Sequence, residues 1–140
     1  MAQSFNKFET FVGDLGLETH ELHADVLKVY LSNAAPSAAS DSVRGDCLEI
    51  SSGNGYTTGG MDVTNTYTES GGTGTLGTAD ITWTASSGNI GPFQYAILYN
   101  STSGASDGLI GWWDYSSAVT LTTTETFKVA FASSTAFTIA

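Results

Sequence analysis

The chain has 140 residues, 41% of them hydrophobic and 13% charged, with four basic residues against fourteen acidic ones and a net charge of −10. That length is one domain, long enough to bury roughly 68–70% of its unfolded surface without disulfides or metal. Four scattered cations (Lys7, Lys28, Arg44 and Lys128) cannot form the patch that neutralises phosphates, so nucleic acid and anionic membranes are set aside as partners.

Cys47 is the only cysteine, so no internal disulfide framework exists, and folding in a reducing cytoplasm is expected. No signal-peptide pattern opens the chain, and no apolar run approaches the ~18 residues that span a membrane. Residues 1–24 read as an N-terminal helix and connector, and 25–140 as a single β domain.

In chain order, Phe5, Phe8, Phe11, Val12 and Leu15 recur at spacings of three and four. This predicts a short amphipathic helix over 4–15, with Ser4 as its cap and Gly13 or Gly16 as its end. Such a stripe either covers the end of a sheet or serves as a docking arm. His20 and His23 follow, beside Glu18, Glu21 and Asp25. Zinc wants three or four ligands, and the reading preferred for this segment is an exposed polar connector.

VLKVYL (26–31) reads as the first strand, and 32–46, which holds Pro36, as a long loop suited to binding. A short strand is expected over 47–51, with Cys47 a buried, inert thiol beside Leu48 and Ile50. SGNGYTTGG (52–60) supplies the positive φ that tight turns need. Met61, Val63, Asn65 and Tyr67 alternate along one strand, and SGGTGTLGT (70–78) reads as a mobile turn.

Ile81 and Trp83 share one face of the next strand. Phe93, Tyr95, Ile97 and Tyr99 share a face of another, with Ala96 and Leu98 opposite, as in a central strand. LIGWWDY (109–115) is the most aromatic strand: Leu109, Gly111, Trp113 and Tyr115 face one way, Ile110, Trp112 and Asp114 the other. Strands over 119–123, 126–131 and 137–140 close the chain, with Phe127, Val129 and Phe131 on one face.

Many short strands without intervening helices predict an antiparallel β-sandwich, or a jelly roll, with one N-terminal helix. No arrangement matches a catalytic signature. Both histidines lie in one local segment, no G-x-S-x-G elbow is present, and the glycine-rich stretch carries no lysine and leads into a strand. A glycosidase would need two acids at a separation that sequence does not give. Trp112, Trp113, Tyr115, Tyr95 and Tyr99 could stack on sugar rings, but period two sends many of them into a core. No D-x-[DN]-x-[DN]-G loop is present, so no bound calcium, no other metal and no cofactor are expected.

EISSGNGYTTGG (49–60), IGPFQYAILYN (90–100) and LIGWWDY (109–115), with LKVYLSNAAPSA (27–38) ahead of them, resemble a family of small structural proteins of tailed bacteriophages. The resemblance runs from about Phe5 to the end of the chain. It implies a non-enzymatic virion role, first as a capsid decoration (cement) protein on the outer shell that bridges major capsid subunits. By analogy it implies a homotrimer. The alternative it leaves open is a tail or fibre component that binds a receptor or glycan. The residues expected at the contact are Phe5, Phe8 and Phe11 of the helix, Pro36 and Arg44 of the long loop, and Tyr56 of the glycine-rich loop.

Overall fold

A computed structural model describes residues 3–102 and 106–140. The chain runs β1 (Asn6–Lys7), α1 (Glu9–Gly16), β2 (Leu27–Ser32), β3 (Met61–Asp62), β4 (Thr66–Ser70) and β5 (Thr73–Gly77). It continues with β6 (Ile81–Thr84), β7 (Ile90–Asn100), β8 (Leu109–Leu121), β9 (Thr126–Val129) and β10 (Thr135–Ile139). One five-stranded antiparallel sheet has the order β1-β8-β7-β2-β3; a three-stranded sheet, β10-β5-β4, and a two-stranded one, β6-β9, form the opposing layer. The result is the all-β sandwich with a short N-terminal helix that the strand pattern predicts.

The main core lies between the layers. Val29, Leu31, Phe93, Ala96, Leu98 and Ile110 from the large sheet meet Leu76, Ile81 and Trp83 from the small ones and Phe131 from the connection between β9 and β10. A second cluster sits on the outer face of the large sheet, where Tyr30, Ile97, Tyr99 and Leu109 are covered by Phe8 and Cys47. β7 is therefore apolar on both faces, as expected of a strand with β2 and β8 on either side.

Bulges redistribute the aromatic side chains. The β7–β8 register slips between Leu98 and Tyr99, whose partners are Gly111 and Leu109. One extra residue in β8 reverses its alternation at that point. Leu109 thus packs with Trp112 in the outer cluster, while Ile110 and Trp113 belong to the main core. A second slip, between Phe93 and Tyr95, sends Phe93 to the main core and Tyr95 to the outer cluster. The expectation that Phe93 shares a face with Tyr95, and Leu109 with Trp113, is corrected accordingly. β8 also runs unbroken through Ser116, at φ 72°, where two strands with a gap were predicted.

Other boundaries differ for local reasons. The N-terminal stripe splits in two: Asn6 and Lys7 pair with Trp112 and Gly111, and the helix starts only at Glu9 with Phe8 at its N-cap, so Ser4 caps nothing. The 61–67 strand breaks at Thr64, which has φ 50°. The 70–78 stretch is a hairpin, not a mobile turn: Gly71 and Gly72, both at positive φ, close Ser70 onto Thr73 as a two-residue turn. The 47–51 strand reduces to one bridge, Ser32 to Glu49.

Candidate functional site

Two features stand out on this framework: a loop tied down on the large sheet, and an open aromatic cleft at its opposite side.

The loop from residue 33 to 60 has little regular structure, and side-chain bonds hold it. Glu49 is the hub. Its carboxylate accepts the Tyr56 hydroxyl at 2.7 Å and the Gly59 N–H at 2.6 Å, and it lies 3.6 Å from the Arg44 guanidinium. The Tyr56 hydroxyl also accepts the Leu31 N–H at 3.0 Å, and the Tyr99 hydroxyl donates to the Gly59 carbonyl at 2.8 Å. Arg44 sits 5.5 Å over the Tyr99 ring and 3.8 Å from Asp107. The Tyr30 hydroxyl donates to the Cys47 carbonyl at 2.9 Å. Burial pushes the Tyr30 and Tyr56 hydroxyls far above the usual phenol range, so both remain neutral donors. The Cys47 thiol is buried and also shifted upward by desolvation, which makes it a poor nucleophile.

The cleft lies between the layers where β9 and β10 diverge from β7 and β8. It has a volume of about 560 Å³ and is walled by Phe5, Ala96, Trp113, Tyr115, Phe127 and Phe131, with Gln94 and Lys128 among its polar lining. The rings support one another. Phe5 stacks on Phe137 at 4.7 Å and tilts against Trp113 at 5.4 Å; Trp113 meets Phe131 edge-on at 5.5 Å, and Tyr115 meets Phe127 edge-on at 5.5 Å. A side chain at Gly111 would collide with the Phe5 ring, so glycine there is what lets Phe5 lie against the sheet. Gln94 donates to Asp114 at 2.9 Å, and Lys128 pairs with Asp80 at 2.9 Å. Tyr115 is 47% exposed.

The predicted contact residues fall into three groups. Phe8, Phe11 and Tyr56 are buried, at 0%, 3% and 2% exposure, so their side chains offer no surface to a neighbour and act as core. Pro36 and Arg44 are half-buried on the loop, and Arg44 is engaged by Glu49 and Asp107. Phe5 alone of the six reaches the cleft. Sequence placed Trp113 with Tyr115, and Phe127 with Phe131, on two aromatic faces; it did not show that those faces meet. Among the aromatic candidates for sugar stacking, Tyr99 is buried, Trp112 is packed on Phe8 at 4.6 Å, and half-buried Tyr95 packs against the outer cluster, leaving Trp113 and Tyr115 at the cleft.

The histidine segment also departs from expectation. His23 is exposed, but His20 is 4% exposed, with Nδ1 3.1 Å from the Asn100 amide and Nε2 3.7 Å from Asp14. Desolvation lowers its pKa below 6.5, against the opposing pull of Asp14 and Asp25. Among the described residues no group of three or more His, Cys, Asp or Glu is placed to hold a metal ion, and no helix is long and apolar enough to cross a membrane. Several carboxylates serve as turn caps. Asp46 accepts the Ser42 and Val43 N–H groups and Glu125 that of Thr122, and these bonds hold both acids below their ordinary pKa.

Comparison with family models, curated proteins and solved structures finds no match. Function therefore has to be argued from the site itself.

Proposed function

We propose that this chain is a non-enzymatic structural protein of tailed-phage particles, seated on the outer face of the capsid shell, where it bridges major capsid subunits. The observation that carries the reading is where the resembling segments fall. IGPFQYAILYN is β7 and LIGWWDY is the first half of β8. Together they supply Gln94, Ala96, Trp113 and Tyr115, the floor of the aromatic cleft. EISSGNGYTTGG is the loop that Glu49 and Tyr56 pin to the same sheet. What resembles a particle protein is thus a rigid frame with a concave, mostly apolar contact site.

Apolar clefts with a few polar groups are suited to contact, and a cement protein works by burying such surface at many equivalent joints. Binding only the assembled shell stabilises that shell by mass action. The test is quantitative mass spectrometry of separated heads and tails. Hundreds of copies on heads are expected; a handful of copies confined to tails would overturn the shell assignment.

One observation favours the tail or fibre reading. Half-exposed Tyr115 stands beside the hydrogen-bonded Gln94–Asp114 pair, a ring face next to planar polar groups such as sugar hydroxyls engage. Binding on a glycan array that is lost in Tyr115→Ala would move the assignment there.

A further inference from the structure

We infer that His20 is a proton-operated latch: neutral, it ties the connector between α1 and β2 to the end of β7, and protonated, it releases Asn100 and pairs with Asp14. The connector, residues 17–26, contains neither helix nor strand, so side chains hold it. Where it meets β7, the Val26 N–H donates to the Thr102 hydroxyl at 2.8 Å and the Val26 carbonyl accepts the Ser101 N–H at 2.9 Å. At the centre of this junction the Asn100 amide nitrogen bonds to His20 Nδ1 at 3.1 Å and donates to the Asp25 carboxylate. His20 and Asn100 are both buried, so the contact is sealed from solvent.

Neighbouring bonds fix which atom donates. Asn100 Oδ1 accepts the Thr102 N–H at 2.9 Å, so the amide nitrogen is the side that faces His20. An amide nitrogen only donates, so His20 Nδ1 is the bare acceptor and Nε2 carries the ring proton. Nε2 is buried without a hydrogen-bond partner, and the Asp14 carboxylate stands 3.7 Å from it. A second proton on the ring sits at Nδ1 and points at the Asn100 NH2; two donors then face each other and the bond is lost. Turning the amide over does not restore it, because that takes the acceptor from the Thr102 N–H and sets Oδ1 against the Asp25 carboxylate. Among the described residues, the charged groups that act on the ring are Asp14 of α1 and Asp25 of the connector; β7 contributes neutral Asn100, and α1 also the Phe11 ring at 5.6 Å. Both carboxylates attract an imidazolium, and the Asp14 side chain, 30% exposed, lies on the Nε2 side, away from Asn100. The ring thus has one partner for each protonation state, which is what a proton switch requires. Burial disfavours the charged ring and sets the release below pH 6.5. Asn65, which donates to the Leu22 and Asp25 carbonyls, holds the other side of the connector through bonds that do not titrate, so the opening is local.

The experiment is NMR of the full chain at about pH 7.5 and about pH 5, with amide hydrogen exchange corrected for the intrinsic effect of pH. At the higher pH, nitrogen correlation spectra of the His20 ring should show the proton on Nε2. Protection of the Thr102, Val26 and Ser101 amides is expected to fall roughly ten-fold at the lower pH, the effect of losing one hydrogen bond, while the Leu31 and Leu98 cross-peaks in the sheet centre keep their positions. His20→Gln, whose side-chain oxygen accepts from Asn100 at every pH, should lose the response, and His23→Gln, at an exposed position, should keep it. Should His20→Gln not fold, the tautomer and the exchange of the parent decide alone. A ring proton on Nδ1 at the higher pH, junction protection that does not change, sheet-centre peaks that collapse together with the junction, or a response that persists in His20→Gln or vanishes in His23→Gln would each overturn the inference.

Discussion

Removing the Glu49 carboxylate tests whether side chains rather than backbone pairing hold the long loop. The Glu49 side chain is 13% exposed and accepts two short hydrogen bonds, from Tyr56 and Gly59. Bonds to a charged acceptor contribute about 1.5–3 kcal/mol each, and the partly exposed Arg44 pair adds no more than about 1 kcal/mol. Glu49→Ala leaves the Gly59 N–H without its acceptor. The Tyr56 hydroxyl loses the bond it donates but keeps the one it accepts from Leu31. The expected loss is about 3–5 kcal/mol, a large part of the ~5–15 kcal/mol a domain holds in total. Glu49→Gln retains an acceptor oxygen and should lose about 1–2 kcal/mol. Urea unfolding followed by tryptophan fluorescence gives these values, since Trp83 lies 6.1 Å from the Tyr56 ring. A double-mutant cycle with Tyr56→Phe should show coupling of about 1–2 kcal/mol. A loss below about 1 kcal/mol in Glu49→Ala, or additive effects in the cycle, would refute the view that this carboxylate pins the loop.

Further outcomes follow from single positions. Phe8→Ala removes a fully buried ring packed on Trp112 and should cost about 3–5 kcal/mol in denaturant unfolding; a cost near zero would return Phe8 to the surface. Gly60 has φ 73°, and a Cβ there would strike the Val29 carbonyl, so Gly60→Ala should lower stability by more than about 2 kcal/mol, while an exposed control such as Gly45→Ala changes it by less than about 1. His20 takes a proton less readily in the fold than in the unfolded chain, where its pKa is 6.5. Its contribution is therefore complete above pH 6.5 and is lost as pH falls through its lowered folded value. In His20→Gln that part of the pH dependence should be missing, which unfolding curves between pH 7 and 5 would show.

Much of this architecture could be read from alternation. β2 and β9 carry enough β-forming and apolar residues to be placed within one or two residues, β7 starts three residues before the expected Phe93, and the coverage of both β7 faces followed from Ala96 and Leu98 opposing Ile97 and Tyr99. What alternation cannot show is a bulge, because one added residue leaves composition unchanged and reverses every side chain beyond it. That is why Leu109 and Phe93 were placed on the wrong faces. The Gly71–Gly72 hairpin had a legible signal, two adjacent glycines between threonine-rich runs, masked by the low complexity around it. The N-terminal phenylalanines show the limit of helical periodicity: Phe5, Phe8 and Phe11 match a helix stripe, yet they lie before, at and inside the helix start and serve the cleft, the outer cluster and the main core in turn. The cleft depends on contacts between β8 and the β9–β10 segment, which no local pattern encodes. His20 was misjudged because its partner, Asn100, is eighty residues away.

The capsid assignment is tested most directly by adding the purified chain to phage shells that lack it, then sedimenting the shells. Saturable binding at a fixed ratio of copies per major capsid subunit, with the shells surviving heating or low salt that disrupts the bare ones, is the result expected. A chain that stays in the supernatant at every concentration, and leaves shell stability unchanged, would contradict the assignment.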